Sequence, residues 1–129
     1  KIALLGVDLG SGQVRAGESV QITLYWKALK RMDTSYTVFL HLLDRDNTIH
    51  AQEDRIPAGG GRPTTGWVPS EIIEDGYHLQ VDPEAPPGGY QLEVGLYDAD
   101  NPTFPRLTVL KDGEPEGNRV IVGEIEVLR

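Results

Sequence analysis

The chain has 129 residues, no cysteine and a formal charge of −8, with 15 glycines and 9 prolines spread between apolar stretches. That length fits one domain, and the scattered glycines and prolines mark many turns rather than one disordered tract. The charge repels nucleic-acid phosphates and anionic lipid, the missing thiols exclude a disulfide framework, and no apolar run nears the roughly 20 residues of a spanning helix.

Alternation with a period of two recurs along the chain and predicts strands. Ala3, Leu5, Val7 and Leu9 share one face of the first, which Gly10-Ser11-Gly12 breaks. After the turn at Ala16-Gly17-Glu18, Val20, Ile22, Leu24, Trp26 and Ala28 face one way and Gln21, Thr23, Tyr25 and Lys27 the other. A helix would scatter these two sets around its circumference, whereas a pleated strand separates them. Tyr36 to Leu43 is apolar on both faces, as a central strand can be. Asp44-Arg45-Asp46-Asn47 turns the chain into a hairpin partner, Thr48 to Glu53.

An irregular stretch follows from Ile56 to Pro69, and Ile72 to Val81 reads as a strand bulged near Gly76. A proline-glycine corner, Asp82 to Gly89, leads into Tyr90, Leu92, Val94 and Leu96. The loop of about twenty residues after Asp98 is long enough to carry structure of its own, with a small hairpin expected from Arg106 to Leu110 and Asp112-Gly113. In the last strand, Arg119 to Leu128, the apolar phase flips, which places a bulge at Gly123-Glu124. About seven strands without sustained helical periodicity predict an all-β, immunoglobulin-like antiparallel sandwich, one domain over residues 1–129. The start in mid-strand at Lys1, without Met, suggests a piece of a longer protein.

Four strings carry a resemblance: Val38-Phe39-Leu40-His41-Leu42-Leu43-Asp44, the run Pro63 to Glu71, Pro86-Pro87-Gly88-Gly89-Tyr90, and Val94-Gly95-Leu96-Tyr97-Asp98. In this order the chain resembles C-terminal soluble domains appended to bacterial multi-spanning membrane glycosyltransferase-like proteins. The resemblance implies an immunoglobulin-like accessory domain outside the cytoplasm, partnered by the rest of its parent or a neighbouring chain. Sugar transfer would belong to the membrane portion, so no catalytic residue carries over.

The remaining chemistry is sparse. Gly10-Ser11-Gly12 lacks the spacing of a nucleotide-binding loop and precedes a strand rather than a helix. Asp44 and Asp98 each open an Asp-x-Asp-Asn turn, but calcium takes about six to eight oxygens and neither turn has the later ligands. No metal and no cofactor are therefore expected. His41, His50 and His78 fall on separate strands without ligand spacing, and no serine sits in a nucleophile elbow.

Two surfaces stand out. Arg62, Trp67 and Tyr77 offer a stacking platform for a sugar ring, unless Trp67 folds back as a lid on the core. With Val38, Leu40 and Leu42 inward, Phe39, His41, Leu43 and Tyr97 form an outer stripe that needs cover from a loop or a partner. The inward choice rests on His41, whose burial would demand a hydrogen-bond partner.

Overall fold

The computed structural model describes residues 2–103, 105–111, 114–115 and 119–129. Eleven strands run in chain order among them: β1 (Ile2–Leu9), β2 (Gln13–Arg15), β3 (Ser19–Ala28), β4 (Thr37–Leu43), β5 (Ile49–Arg55), β6 (Ile72–Gln80), β7 (Gly88–Tyr97), β8 (Arg106–Leu107), β9 (Val109–Lys111), β10 (Glu114–Pro115) and β11 (Val120–Leu128). One sheet has the order β10-β9-β1-β3-β6, and the other β2-β11-β7-β4-β5 with β8 added beside β7. This is the all-β, immunoglobulin-like sandwich that alternation predicts, and its long strands, β1, β3 to β7 and β11, are the seven read from sequence.

The long strands pair antiparallel, but two short ladders are parallel: β1 with β9, and β2 with β11. The first edge of the chain thus switches sheets after Leu9, and the excursion following β7 does the same. β8 joins one sheet and β9, a residue later, joins the other, so this loop staples the two layers together. The expected small hairpin forms between β9 and β10, while its turn residues 112 and 113 lie outside the described residues.

The core lies between the sheets. Val20, Ile22, Leu24 and Trp26 meet Leu92, Val94 and Leu96, all buried as their alternation requires. At the entry to β7 the Tyr90 hydroxyl donates to the Pro86 carbonyl at 2.6 Å, the tyrosine corner seen in immunoglobulin-like domains.

Three local expectations shift. β1 is bulged between Leu4 and Gly6, so Ile2 and Leu4 are buried and Leu5 is exposed. The flip in β11 comes from a register shift between Ile121 and Gly123, just before the expected place. β6 pairs with β3 from Ile72 to Gln80 without a break, so Gly76 marks no bulge. Its inward row is Ile73, Asp75, Tyr77 and Leu79, which places a carboxylate inside the sandwich.

Candidate functional site

The inward phase of β4 is the one His41 dictates. Val38, Leu40 and Leu42 enter the core, and Phe39, His41 and Leu43 line the outer face of the second sheet. Strand pairing sets their neighbours: His41 lies opposite Glu93 of β7 and Gln52 of β5, and Phe39 lies opposite Gly95 and Asp54. Gly95 adds no side chain over that part of the face.

A chain of polar contacts crosses this face. Arg119 donates to Glu93 Oε1 at 2.9 Å, and His41 Nδ1 lies 2.9 Å from Glu93 Oε2. On the other side of the ring, His41 Nε2 is 3.7 Å from Asp54 Oδ1, while the Tyr97 hydroxyl donates to Asp54 Oδ2 at 2.9 Å. Burial of Glu93 opposes its ionisation, but the bonds from Arg119 and His41 outweigh it and hold the carboxyl below its usual range. Tyr97 moves upward, through burial first and then through the Asp54 hydrogen bond and charge, so its hydroxyl remains a donor.

Phe39 is only 1% exposed, because the chain covers it. The Arg106 guanidinium stacks 4.4 Å above its ring, and the His41 and Tyr97 rings flank it at 5.0 and 6.3 Å between centroids. The stripe is therefore covered from within at Phe39, and Leu43 is also buried. What the face offers to solvent is a hollow of about 270 Å³ lined by Phe39, His41, Asp54, Tyr97 and Arg106. Asp54, Glu93, Arg106 and Arg119 were not singled out from sequence. Each is an ordinary charged residue in an acidic chain, and only strand register gathers them.

The sugar platform does not form. Trp67 is fully buried in the core, with its indole N–H donating to the Arg62 carbonyl at 2.8 Å. It is the lid, wedged by a 3₁₀ turn at Thr64–Gly66. Tyr77 is buried on the inner face of β6, with Arg55 4.3 Å over its ring and its hydroxyl 2.6 Å from Asp75. Burial, and then the Asp75 charge, push the Tyr77 phenol far upward. Arg62 instead pairs with Glu71 at 2.5 Å. A stacking platform needs a ring face open to solvent, and neither ring has one.

The two Asp-x-Asp-Asn segments are turns built on side-chain oxygens. Asp44 Oδ1 accepts from the amides of Asp46 and Thr48 and its Oδ2 meets His50 at 2.8 Å, while Asp98 Oδ1 accepts from the amide of Asp100. β4 and β7 run antiparallel with Leu43 opposite Gln91 and Thr37 opposite Tyr97, so the two turns lie at opposite ends of the sandwich. No cluster of three His, Asp or Glu suited to a metal ion occurs among the described residues.

An immunoglobulin-like sandwich with a polar hollow on one outer face is the class of protein that fold and site define. No protein-family model matches the sequence, and no curated protein matches it. Among solved structures the chain is similar to the CARDB domain of a Pyrococcus furiosus protein in complex with di-metal ions. That similarity has 12% identity and a TM-score of 0.55, and covers 99% of this chain and 88% of the other. A chain of the CaDoc0917–CaCohA2 complex is similar at 9% identity and a TM-score of 0.41, over 99% of this chain and 100% of the other. The CARDB similarity is one of fold.

Proposed function

We propose that this chain is a non-catalytic accessory domain of a longer protein. Its parent is a membrane glycosyltransferase-like protein, the domain lies on the extracytoplasmic side, and the hollow on its outer face holds material for that parent. The observation that carries the reading is the hollow itself, where an exposed guanidinium and a half-exposed carboxylate face the same space. Both nitrogens of His41 are turned toward carboxylates, which leaves neither aimed into the hollow as an acid or base. The site is thus equipped to orient a polar group rather than to move its proton. The parent and its location rest on the sequence resemblance.

Deleting the domain from the full-length protein tests this. The membrane portion should keep its transfer chemistry with kcat little changed and KM for the acceptor raised. Proteolysis of intact cells should clip the domain from outside. Turnover by the isolated chain that His41→Ala abolishes would refute the non-catalytic assignment, and a full-length protein without apolar spans would refute the attachment.

A further inference from the structure

Arg106 differs from the other charged groups of this face in having its plane fixed and its donors unspent. Glu93 takes up Arg119, and Asp54 takes up Tyr97 and faces His41. The Arg106 guanidinium lies over Phe39 and forms no hydrogen bond or ion pair with any described residue, its backbone alone pairing with Tyr97. Asp54 lines the same hollow and the two do not pair, although an arginine and a carboxylate within reach normally close on each other. Resting on the Phe39 ring at 4.4 Å restricts the guanidinium before any ligand arrives, so part of the entropy of orienting the fork is already spent.

We propose that the hollow binds a sugar acid, a single uronate-type ring, with Arg106 taking the carboxylate in a two-pronged contact and Asp54 accepting from ring hydroxyls. The inference rests on reading this face as the binding surface. Three observations select the ligand class. An unspent planar fork matches a carboxylate better than a neutral group. Asp54, with Oδ1 held only by a 3.7 Å contact to His41, repels a second acid and favours hydroxyl donors beside the first. The volume of about 270 Å³ falls just below the range of sites for drug-sized ligands, which suits one ring rather than an extended chain. A charge of −8 also works against a polyanion while leaving one carboxylate bindable. An acidic peptide fits less well. Peptides normally add to a sheet edge or fill a groove, whereas this shallow hollow lies on the face of a sheet.

The test is a titration of the isotope-labelled chain at low salt, read by chemical shifts of the Arg106 guanidinium and the Tyr97 ring. Glucuronate and galacturonate should shift both saturably. Their methyl esters and the neutral sugars should bind about tenfold more weakly, the worth of one charge-assisted contact. Arg106→Gln should reduce uronate to the affinity of the neutral sugars, and Arg106→Lys, which keeps charge without the fork, should fall between. A melting temperature within a few degrees of the parent in Arg106→Gln separates lost recognition from lost folding. Equal binding by an N-acetylglutamate amide would overturn the sugar assignment in favour of an acidic peptide. No saturable shift with either uronate overturns the inference, whereas unchanged KM on domain deletion overturns the proposed function instead.

Discussion

Among the described residues two carboxylates are buried, and they are satisfied in opposite ways. Asp75, inside the sandwich, is fully buried and accepts from neutral donors: the Trp26 indole at 3.2 Å, the Tyr77 hydroxyl at 2.6 Å and the Ala58 amide at 2.8 Å. Glu93, on the outer face, is 5% exposed and is held by Arg119 and His41. Arg119 is itself half-exposed, so the outer arrangement borders water and can adjust, whereas the inner one is locked between β3, its own strand β6 and the turn at Ala58. The difference separates architecture from site. Asp75 ties β3, β6 and the turn at Ala58–Gly60 together, and that turn holds Ala58 at φ 56°, a left-handed conformation costly for a residue with a Cβ. Glu93 orients His41 beneath a hollow that a ligand can enter.

Breaking the inner arrangement should cost most. Asp75→Ala strands two buried donors and a half-buried amide, and a loss of about 3–5 kcal/mol in urea unfolding is expected, since each buried group costs about 1–3 kcal/mol. Asp75→Asn keeps an acceptor and should recover part of it. A neutral Asp75→Ala would show that water replaces the carboxylate and would erase the contrast. Phe39→Ala comes next, at about 3 kcal/mol, near the low end for a buried phenylalanine because the covering Arg106 side chain can settle into the gap. Phe39→Ser should lower the melting temperature as well, as befits a residue covered by its own chain. An unchanged melting temperature would restore Phe39 to a partner surface.

Glu93→Gln is expected to cost about 2 kcal/mol at neutral pH, the scale of hydrogen bonds to a charged group. Its pH dependence sharpens the comparison. The folded carboxyl lies below its ordinary range, so the unfolded chain takes up the proton first as pH falls. The contribution is complete above the ordinary carboxylate pKa and is lost as pH drops through the folded value. Melting temperature below about pH 5 should therefore fall less steeply in Glu93→Gln than in the parent chain. Asp44 and Glu71 shift in the same direction, so the slope should shrink rather than vanish. Arg106→Gln is the smallest effect, within about 0.5–1 kcal/mol for an exposed cation on an aromatic face. A loss of several kcal/mol would make Arg106 a structural lid and remove the reason its donors are unspent.

What could be read from sequence was whatever obeys a period. Val20 to Ala28 and Tyr90 to Leu96 alternate because one face of each is buried, and their inward rows follow directly. The phase of β4 was legible only through His41, the one polar side chain between Val38 and Leu43, and the structure supplies the outer partners that a histidine needs. Asp75 broke the rule in reverse: an inward carboxylate between Ile73 and Tyr77 looks like any polar residue until the register brings Trp26 and Ala58 to it. The hollow was half legible for the same reason. Phe39, His41 and Tyr97 lie on strands that the sequence marks, whereas Arg106 comes from a long loop whose path no local pattern specifies.

The parallel ladder between β2 and β11 has a consequence for the order of folding. Gln13 lies beside Glu126, 113 residues away, and the Gln13 side chain donates to the Glu126 carboxylate. Closing so long a loop costs entropy that three residues of pairing offset only once the intervening sheets exist. The ladder should therefore zip last, after the transition state. Val14→Ala would then speed unfolding severalfold and leave the refolding rate nearly unchanged, and stopped-flow kinetics showing slowed refolding would place this contact in the nucleus instead. Until the ladder closes, β11 presents a free edge of nine residues, and this is the interval in which two nascent copies are most apt to pair with each other.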